Sequence, residues 1–363
     1  MSIQTKTLSV RVKDKHAPLL RQMAFEVNQV FNLANEITSK AYSNAGDFGA
    51  KVPKWLTAYD VQKQTAGLRK EKGYLIDSAS IQEVIAHHGK ARKQFKRSRL
   101  RWRVSGGARR SLGWIPFKVG FAKWQNGQVK FAGKLFKVWD SYGLSAYKFR
   151  AGSFSEDSRG RWYFNVAVDY EAEATSGTTA VGVDLGLKDT ATVSDGQKLP
   201  AGRFYRDLQS VLGKAQRAHK KARVRAIHAK IKNRRKDALH KFSTALVNSN
   251  AAVFVGDVSA SKLIKTKMAK SVLDAGWSML KTQLEYKAIA RSVVFEVVNE
   301  AYSTQVCSCC GCLPASSPKG RADLEIREWV CCECGTAHDR DVNAAKNILA
   351  AGHRRLAVGI PAV

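Results

Sequence analysis

The chain has 363 residues, of which 44% are hydrophobic, which is enough for two or three domains with apolar cores. It carries 61 Lys and Arg residues against 30 Asp and Glu residues, for a formal net charge of +31. Such an excess of positive charge predicts a polyanionic partner. Nucleic acid is favoured over a membrane, because no stretch reaches about 18 consecutive apolar residues.

The N-terminal residues indicate a reducing compartment, which bears on the role of the cysteines. Residues 1–13 contain no apolar signal region, so a cytoplasmic location is expected. All seven cysteines lie between Cys307 and Cys334. Clustered thiols in such a compartment favour metal binding over disulfides.

The first part of the chain mixes strand and helix patterns. Residues 5–13 alternate in polarity and predict a strand, and an apolar face recurring every three or four residues predicts a helix from Pro18. The residues expected to end this helix are Gly46, Gly49 and Pro53. A helical stretch follows at about 58–68, and Ser80 and Glu83 have capping-box spacing at the start of a third helix.

Strand patterns dominate the rest of the first half. Residues 128–138 and 162–170 alternate between apolar and polar side chains and each predict a strand. The first half is therefore predicted to be a β domain with a helical insertion. The small and polar residues 171–179 are expected to link it to the second half.

Two segments concentrate the positive charge. Residues 92–123 combine cations with aromatic rings, which can neutralise phosphates and stack on bases, although a solvated helix followed by a core-facing hairpin has the same composition. Residues 206–246 predict one long basic helix, which suits a nucleic-acid surface or a solvated face. The residues predicted to contact nucleic acid are Arg97, Arg99, Arg101, Arg103, Lys220, Lys221, Arg234 and Arg235.

The second half begins with an apolar strand, residues 180–186, that carries one carboxylate, Asp184. A buried Asp is costly unless it is paired or binds a metal. Residues 251–256 and 293–298 predict two more strands, separated by a helix at 271–287. Such strands are parallel, so their carboxyl ends are expected at one sheet edge, where α/β sheets build their sites.

Four cysteines have metal-ligand spacing. Cys307 and Cys310 form one pair, Cys331 and Cys334 form another, and the gap between the pairs fits a four-cysteine zinc site. The remaining cysteines, which leave the ligand register open by one or two residues, are Cys309, Cys312 and Cys332. A closed four-thiolate site has no open coordination position, so this zinc is expected to be structural.

Another acidic residue stands at the start of the last predicted helix. The Asp341 carboxylate would either cap this helix or join Asp184 at the sheet edge. Acidic residues gathered from distant segments are what two-metal phosphodiester cleavage by Mg²⁺ needs. His338, the histidine nearest to this segment, is expected to be structural.

Several motifs together resemble the TnpB family of transposon-encoded RNA-guided nucleases, which is related to type V CRISPR effectors. These motifs, which span roughly residues 180–352, are VGVDLG around Asp184, KFSTALV at 241–247, LEYKA at 284–288, YSTQVCSCCG at 302–311, CxxCG at 331–335 and HDRDVNAAKNI at 338–348. By this resemblance, Asp184 and Asp341 match the family's first and third catalytic carboxylates. The four spaced cysteines match its zinc ligands.

The resemblance also implies a fold that combines α+β and α/β architecture. Residues 1–172 would form a β wedge domain with a helical recognition insert at about 15–100. A ribonuclease-H-like nuclease domain of the RuvC type would comprise residues 173–302 and 338–363. A zinc ribbon at 303–337 would interrupt it.

The chain departs from the family at one position. Family members carry a catalytic glutamate at the end of the strand at 251–256, where this chain has Gly256. Asp257 is one alternative, but side chains alternate along a strand, which points it away from the metals. Glu300, directly after the neighbouring strand, is the expected replacement, and Glu296 lies mid-strand. The third interpretation is a site that no longer cleaves.

The resemblance thus implies an RNA-guided DNA endonuclease. A guide RNA from the transposon end would pair with double-stranded target DNA beside a short adjacent motif, in the cytoplasm and on the nucleoid. Asp184, Glu300 and Asp341 are expected to hold two Mg²⁺ ions. The alternatives are an RNA-guided repressor that binds without cutting and a zinc-ribbon nucleic-acid-binding protein without a guide. Mutation of Asp184 separates nuclease from repressor.

Overall fold

The structure is a computed structural model that describes residues 3–43, 55–319, 323 and 325–358. The chain divides into two compact units, the first ending at Glu171 and the second beginning at Ala172. Among the described residues, no helix has the length and apolar composition needed to cross a membrane. The predicted helix breaks at Gly46, Gly49 and Pro53 lie outside the described residues.

The first unit contains four helices and seven strands among its described residues. In chain order these are β1 (Ile3–Arg11), α1 (Ala17–Ser43), α2 (Ala58–Gln64), α3 (Leu68–Lys72), α4 (Ser78–Phe95), β2 (Trp114–Phe117), β3 (Ala122–Gln125), β4 (Gln128–Phe131), β5 (Lys134–Phe136), β6 (Phe149–Glu156) and β7 (Trp162–Glu171). An antiparallel sheet has the order β1-β7-β6-β2, and β3, β4 and β5 form a meander.

Local turn and cap chemistry alters two of the predicted elements here. The predicted strand at 128–138 is the hairpin β4–β5, because Ala132 and Gly133 both have positive φ and reverse the chain. The capping prediction for Ser80 is wrong. Asp77 caps α4 by accepting a hydrogen bond from Ser80 N at 2.7 Å, whereas the Ser80 hydroxyl donates to the Pro116 carbonyl.

The second unit holds the remaining helices and strands. They are β8 (Thr179–Asp184), β9 (Asp189–Val193), β10 (Lys198–Pro200), α5 (Gln209–Arg217), α6 (Lys221–Ser249), β11 (Asn250–Gly256), α7 (Ala260–Leu263), α8 (Ala269–Ala275), α9 (Trp277–Arg291), β12 (Val294–Val298), β13 (Glu328–Val330), β14 (Ala337–Asp339) and α10 (Arg340–Val358). A five-stranded sheet has the order β10-β9-β8-β11-β12, and β13 and β14 form a hairpin.

This five-stranded sheet has a helical layer on each face. The predicted parallel pairing of β11 with β12 is confirmed, and β11 also runs parallel to β8. Val253 and Val255 face a core shared with α6 and α9, whereas Ala252 and Phe254 face α10. Because side chains alternate along a strand, Gly256 lies on the α10 face.

Two predicted helices are each broken in the structure. The basic helix predicted at 206–246 is interrupted between α5 and α6, where His219 adopts a φ of 51°. The helix predicted at 271–287 is divided into α8 and α9 by Gly276, at a φ of 72°. A side chain at Gly276 would press against Arg235 and Leu239 of α6, so the break lets this turn approach α6 closely.

Candidate functional site

The carboxyl ends of three parallel strands meet at one edge of the five-stranded sheet. Val183 of β8 pairs with Val255 of β11, and Gly256 pairs with Val298 of β12. Asp184 ends β8, and Glu300 follows β12 by two residues. This register brings acidic residues that are 116 positions apart in the sequence to the same sheet edge, on either side of the end of β11.

Glu300 occupies the space over Gly256. A Cβ built on Gly256 would collide with Glu300 Oε2, and would lie 3.3 Å from Glu300 Cβ. The backbone N–H of Val258 donates to the Glu300 carboxylate, and Glu300 N donates to Asp257 Oδ1 at 3.3 Å. The carboxylate is therefore held where a side chain from residue 256 would begin.

The charges of this cluster act on Asp184. Burial raises the pKa of the Asp184 carboxyl to about 7, and the negative charges of Glu300 and Asp341 add to this, while Arg340 opposes it. Burial and the charge of Asp257 also raise the pKa of Glu300 above its ordinary value. Carboxylates that repel one another in a partly buried site favour a bound cation.

Asp341 contributes from the α10 side of the sheet. It lies in the first turn of α10, but Asp339 is the residue that caps this helix, with its Oδ1 accepting from Asp341 N at 2.9 Å and from Val342 N at 3.0 Å. The capping interpretation of Asp341 is therefore wrong. Its carboxylate instead pairs with the Arg327 guanidinium at 3.1 Å and 3.2 Å.

The two other acidic candidates occupy different positions. Asp257 is exposed, and the charges that raise the pKa of Asp184 come from Glu300 and Asp341 rather than from Asp257. Glu296 forms an ion pair of 2.5 Å with Arg355 of α10. Both residues therefore lie beside the cluster of Asp184, Glu300 and Asp341 rather than within it.

The chemistry of this donor set fits a hard divalent cation. All three side chains offer carboxylate oxygens, and the buried Glu300 Oε2 has no hydrogen-bond partner among the described residues. The three groups do not all lie within 4.8 Å of one another, a spacing that only the cysteine set meets in the described part of the chain.

The four spaced cysteines form one compact group. The sulfurs of Cys307, Cys310, Cys331 and Cys334 all lie within 4.8 Å of one another. Cys307 Sγ is 3.7 Å from Cys334 Sγ, and Cys310 Sγ is 3.8 Å from Cys331 Sγ. Zinc–sulfur bonds of about 2.3 Å in a tetrahedron place the sulfurs about 3.8 Å apart, so this site fits zinc.

The surroundings act differently on these thiols, and burial raises the pKa of Cys307 and of Cys331 above the ordinary thiol value. The hydrogen bond with Thr336 lowers the pKa of Cys334 to about 6, which favours the thiolate. His338 Nε2 lies 3.0 Å from Cys307 Sγ, and burial lowers the pKa of His338, which keeps the ring neutral. Nε2 is thus in position to hydrogen-bond the sulfur, with the donor set by the tautomer of the ring. The cysteines outside the group, all exposed, are Cys309, Cys312 and Cys332.

The predicted nucleic-acid contacts divide into two groups. The exposed residues are Arg97, Arg99, Arg101, Lys220, Lys221 and Arg234. Arg103 and Arg235 do not belong with them, because each is engaged within the protein. The Arg103 guanidinium lies 4.1 Å from the centre of the Phe31 ring, and Arg235 forms an ion pair of 3.0 Å with Asp274.

Three residues near the carboxylates were missed by sequence reasoning. Arg327 lies 14 positions before its partner Asp341, in a segment without periodicity, so no signal pointed to it. The Lys281 ammonium carries a positive charge close to Glu300 and Asp257, and helical spacing alone does not reveal this. Asn343 stands inside the quoted motif HDRDVNAAKNI, which was the available signal.

Two family models match consecutive stretches of the chain. Residues 277–348 match the model described as "Cas12f1-like, TNB domain", and residues 163–267 match the model described as "Probable transposase". A Streptomyces pristinaespiralis protein named for RNA-guided DNA endonuclease activity is 33% identical over 302 residues, which cover 78% of this chain and 74% of that protein. The chain belongs to the TnpB family.

Further comparisons agree with membership of the TnpB family. The Escherichia coli K12 protein InsQ, also named for RNA-guided DNA endonuclease activity, is 30% identical over 232 residues, which cover 56% of each protein. In fold, this TnpB-family chain is similar to a protein chain in a cryo-EM structure of a Cas12f1–sgRNA–target DNA complex, with a TM-score of 0.58. The two chains are 12% identical, and the match covers 95% of this chain and 98% of the other.

Proposed function

We propose that this chain is an RNA-guided DNA endonuclease whose catalytic carboxylates are Asp184, Glu300 and Asp341. The observation that carries the proposal is the position of Glu300, which lies over Gly256, beside the end of β8 that bears Asp184. A carboxylate in this position would replace the glutamate that family members carry at the position of Gly256 and that this chain lacks there. The names of the relatives support the same activity.

The second unit would then be a ribonuclease-H-like domain of the RuvC type. Its mixed sheet, the helical layer on either face and the acidic strand ends support this assignment. The four-cysteine group would be a structural zinc ribbon, because four thiolates leave no open coordination position. The metal-dependent chemistry would therefore take place at the carboxylates.

The three carboxylates would hold two Mg²⁺ ions, which supply an activated water and stabilise the departing 3′ oxygen. Asp184 and Glu300 would present their oxygens from the ends of β8 and β12, on either side of β11, and Asp341 would present its own from the facing helix. Arg327 balances the charge of Asp341, and Lys281 that of Glu300. These cations limit the repulsion among the carboxylates in a partly buried site.

The exposed cations would bind the phosphates of a guide RNA that derives from the transposon end and of double-stranded target DNA. Base pairing with the guide would select the target, and the protein would recognise a short motif beside it. This division explains a net charge of +31 without an obvious base-reading motif. Arg97 in the first unit and Arg234 in the second are both exposed, and each would contact phosphates.

Guided plasmid cleavage tests the proposal. The protein, co-expressed with its transposon-end RNA, is incubated in Mg²⁺ with plasmids whose bases beside the target are randomised. We expect cleavage by the wild type and by Asp257→Ala, and loss of cleavage in Asp184→Ala and Glu300→Ala. Guided binding without cleavage by the wild type would refute the nuclease and make the chain an RNA-guided repressor.

A further inference from the structure

One buried asparagine connects the zinc ribbon to the loop that carries Glu300. Asn343 lies on α10 two residues after Asp341, and its side chain is almost fully buried. Asn343 Oδ1 accepts a hydrogen bond from Ser308 N at 2.9 Å. Asn343 Nδ2 donates to Val306 O at 2.8 Å and also reaches the Ser303 carbonyl, at 3.3 Å. The amide thus uses both its donor and its acceptor side.

These hydrogen bonds join three parts of the candidate site. Ser303 N donates to Glu300 O at 3.0 Å, so the carbonyl that Asn343 contacts belongs to the turn that starts at Glu300. Ser308 lies inside the first cysteine pair, between Cys307 and Cys310. Asn343 itself is on the helix of Asp341. Asn343 therefore connects α10 to two loops. One is the loop from Cys307 to Cys310, called the zinc knuckle below, and the other is the turn from Glu300 to Val306, called the Glu300 turn.

The Glu300 turn receives further support from α10, in addition to its own backbone hydrogen bonds. Tyr302 adopts a φ of 62°, in the left-handed region that a bulky residue avoids, although its side chain is exposed. Asn347, one turn further along α10, donates to the same two carbonyls as Asn343, at 2.8 Å and 2.7 Å. Both asparagines therefore hold the turn in a conformation that its own residues disfavour.

We propose that Asn343 makes the zinc ribbon a positioning element of the nuclease site. With the cysteine pairs closed on zinc, Ser308 N fixes the Asn343 amide, and this amide holds the Glu300 turn at its spacing from Asp341. The inference rests on the proposed function, because it takes these two acids as ligands of the catalytic metal. Coupling between two binding sites is reciprocal in binding free energy, so a cation at the carboxylates must raise the affinity for zinc.

Three variants separate this link from general packing. Asn343→Asp keeps the size of the side chain but replaces the donor with an oxygen that faces two carbonyl oxygens. Asn347→Asp makes the same amide-to-carboxylate replacement but affects only the Glu300 turn. Within the described residues, the Asn347 side chain donates to the Ser303 and Val306 carbonyls and makes no hydrogen bond to the zinc knuckle. Ser308→Pro removes the backbone N–H that donates a hydrogen bond to Asn343 Oδ1, and it leaves both asparagines unchanged.

The experiment measures transfer of zinc from the full-length protein to the chelator 4-(2-pyridylazo)resorcinol, with and without saturating Mg²⁺. Binding of Mn²⁺ is measured in parallel by electron paramagnetic resonance. At equilibrium, we expect Mg²⁺ to lower the transfer constant for zinc from the wild type by at least about fivefold, the low end of typical coupling between sites. Asn343→Asp and Ser308→Pro should abolish this effect, Asn347→Asp should retain it, and Glu300→Ala should lose it together with Mn²⁺ binding.

The outcomes distinguish the coupling from the proposed function. Mn²⁺ binding by the wild type without any effect of Mg²⁺ on zinc transfer would overturn the coupling and leave the nuclease proposal standing. Absence of Mn²⁺ binding by the wild type would remove the nuclease proposal, and the coupling with it. An undiminished Mg²⁺ effect in Asn343→Asp would overturn the link. If that variant does not fold, the same result in Ser308→Pro decides the question.

Discussion

Combining Gly256→Glu with Glu300→Ala moves the carboxylate from residue 300 to residue 256. This pair of substitutions tests whether the side chains at the two positions occupy the same volume. A Cβ at Gly256 would collide with Glu300 Oε2 and would lie 3.2 Å from Ile348 Cδ1. Gly256→Glu in the wild-type background should therefore overpack the site, at a cost of about 1–3 kcal/mol. Glu300→Ala in the same chain removes the obstructing group and leaves room for the new side chain.

Repulsion between the two acids adds to the overpacking. Like charges about 4 Å apart repel by about 4 kcal/mol at an effective dielectric constant near 20, and protonation relieves part of this. We expect Gly256→Glu alone to lower the free energy of unfolding by about 3 kcal/mol, from the overpacking and part of the repulsion together. Addition of Glu300→Ala should recover at least about 2 kcal/mol, and the coupling energy of the double-mutant cycle is this recovery corrected for the effect of Glu300→Ala alone.

The same four proteins should differ in guided cleavage. Glu300→Ala should cut at least about 100-fold more slowly than the wild type, because loss of an outer-shell partner of a metal ligand alone costs about 10–100-fold. Adding Gly256→Glu to the Glu300→Ala protein should raise its cleavage rate by at least about tenfold. Urea unfolding of the metal-free proteins and plasmid cleavage in Mg²⁺ provide the two measurements.

Two results would refute this reasoning. Stability changes that add within about 0.5 kcal/mol would show that residues 256 and 300 do not compete for one volume. Wild-type cleavage rates in Glu300→Ala would show that Glu300 is not a catalytic ligand, whatever the stability data.

Three further changes test other parts of the molecule. Asp184→Asn should stabilise the metal-free protein at pH 8 and leave it unchanged near pH 4, as measured by urea unfolding. The folded pKa of Asp184, about 7, exceeds its unfolded value, so its ionisation destabilises the fold increasingly between about pH 4 and pH 7. Cys331→Ser should lose its zinc in elemental analysis, whereas Cys332→Ser should retain about one zinc per chain, because only Cys331 belongs to the tetrahedral group. Arg234→Ala should lower the salt slope of RNA binding by about 1, through one lost phosphate contact, whereas Arg235→Ala should cost about 2 kcal/mol of stability, through its partly buried ion pair.

Each of these expectations has an outcome that contradicts it. A stabilisation by Asp184→Asn that is equal at pH 4 and pH 8 would mean that ionisation of Asp184 is not the cause. Zinc loss in Cys332→Ser would place the ligand register elsewhere. Equal salt slopes for the wild type and Arg234→Ala would remove this residue from the RNA-binding surface.

The sheet edge was predictable because it depends on chain topology. Two apolar strands with a helix between them are parallel, so the strand that ends at Gly256 and the strand before Glu300 had to finish at the same edge. The spacing of Cys307, Cys310, Cys331 and Cys334 likewise depends only on short knuckle loops. In both cases a local pattern and one general rule determine the arrangement.

Choices among competing partners were not predictable in this way. Asp339 and Asp341 have the same chemistry and are two residues apart, and only the folded chain shows which one caps α10. Asp77 competes with Ser80 for the start of α4 in the same manner. Arg234 and Arg235 are adjacent, yet one is exposed and the other is paired with a residue 39 positions away. Such outcomes depend on tertiary contacts.

The contact between α10 and β8 passes through backbone atoms. A Cβ on Gly182, two residues before Asp184 on the same face, would collide with Ala345 O and Leu349 N of α10. The separation between the strand of Asp184 and the helix of Asp341 is therefore set by main-chain contact rather than by the sizes of interdigitating side chains. Substitutions among the apolar residues of the surrounding core can therefore leave the distance between the two acids unchanged, whereas any side chain at residue 182 would push β8 and α10 apart.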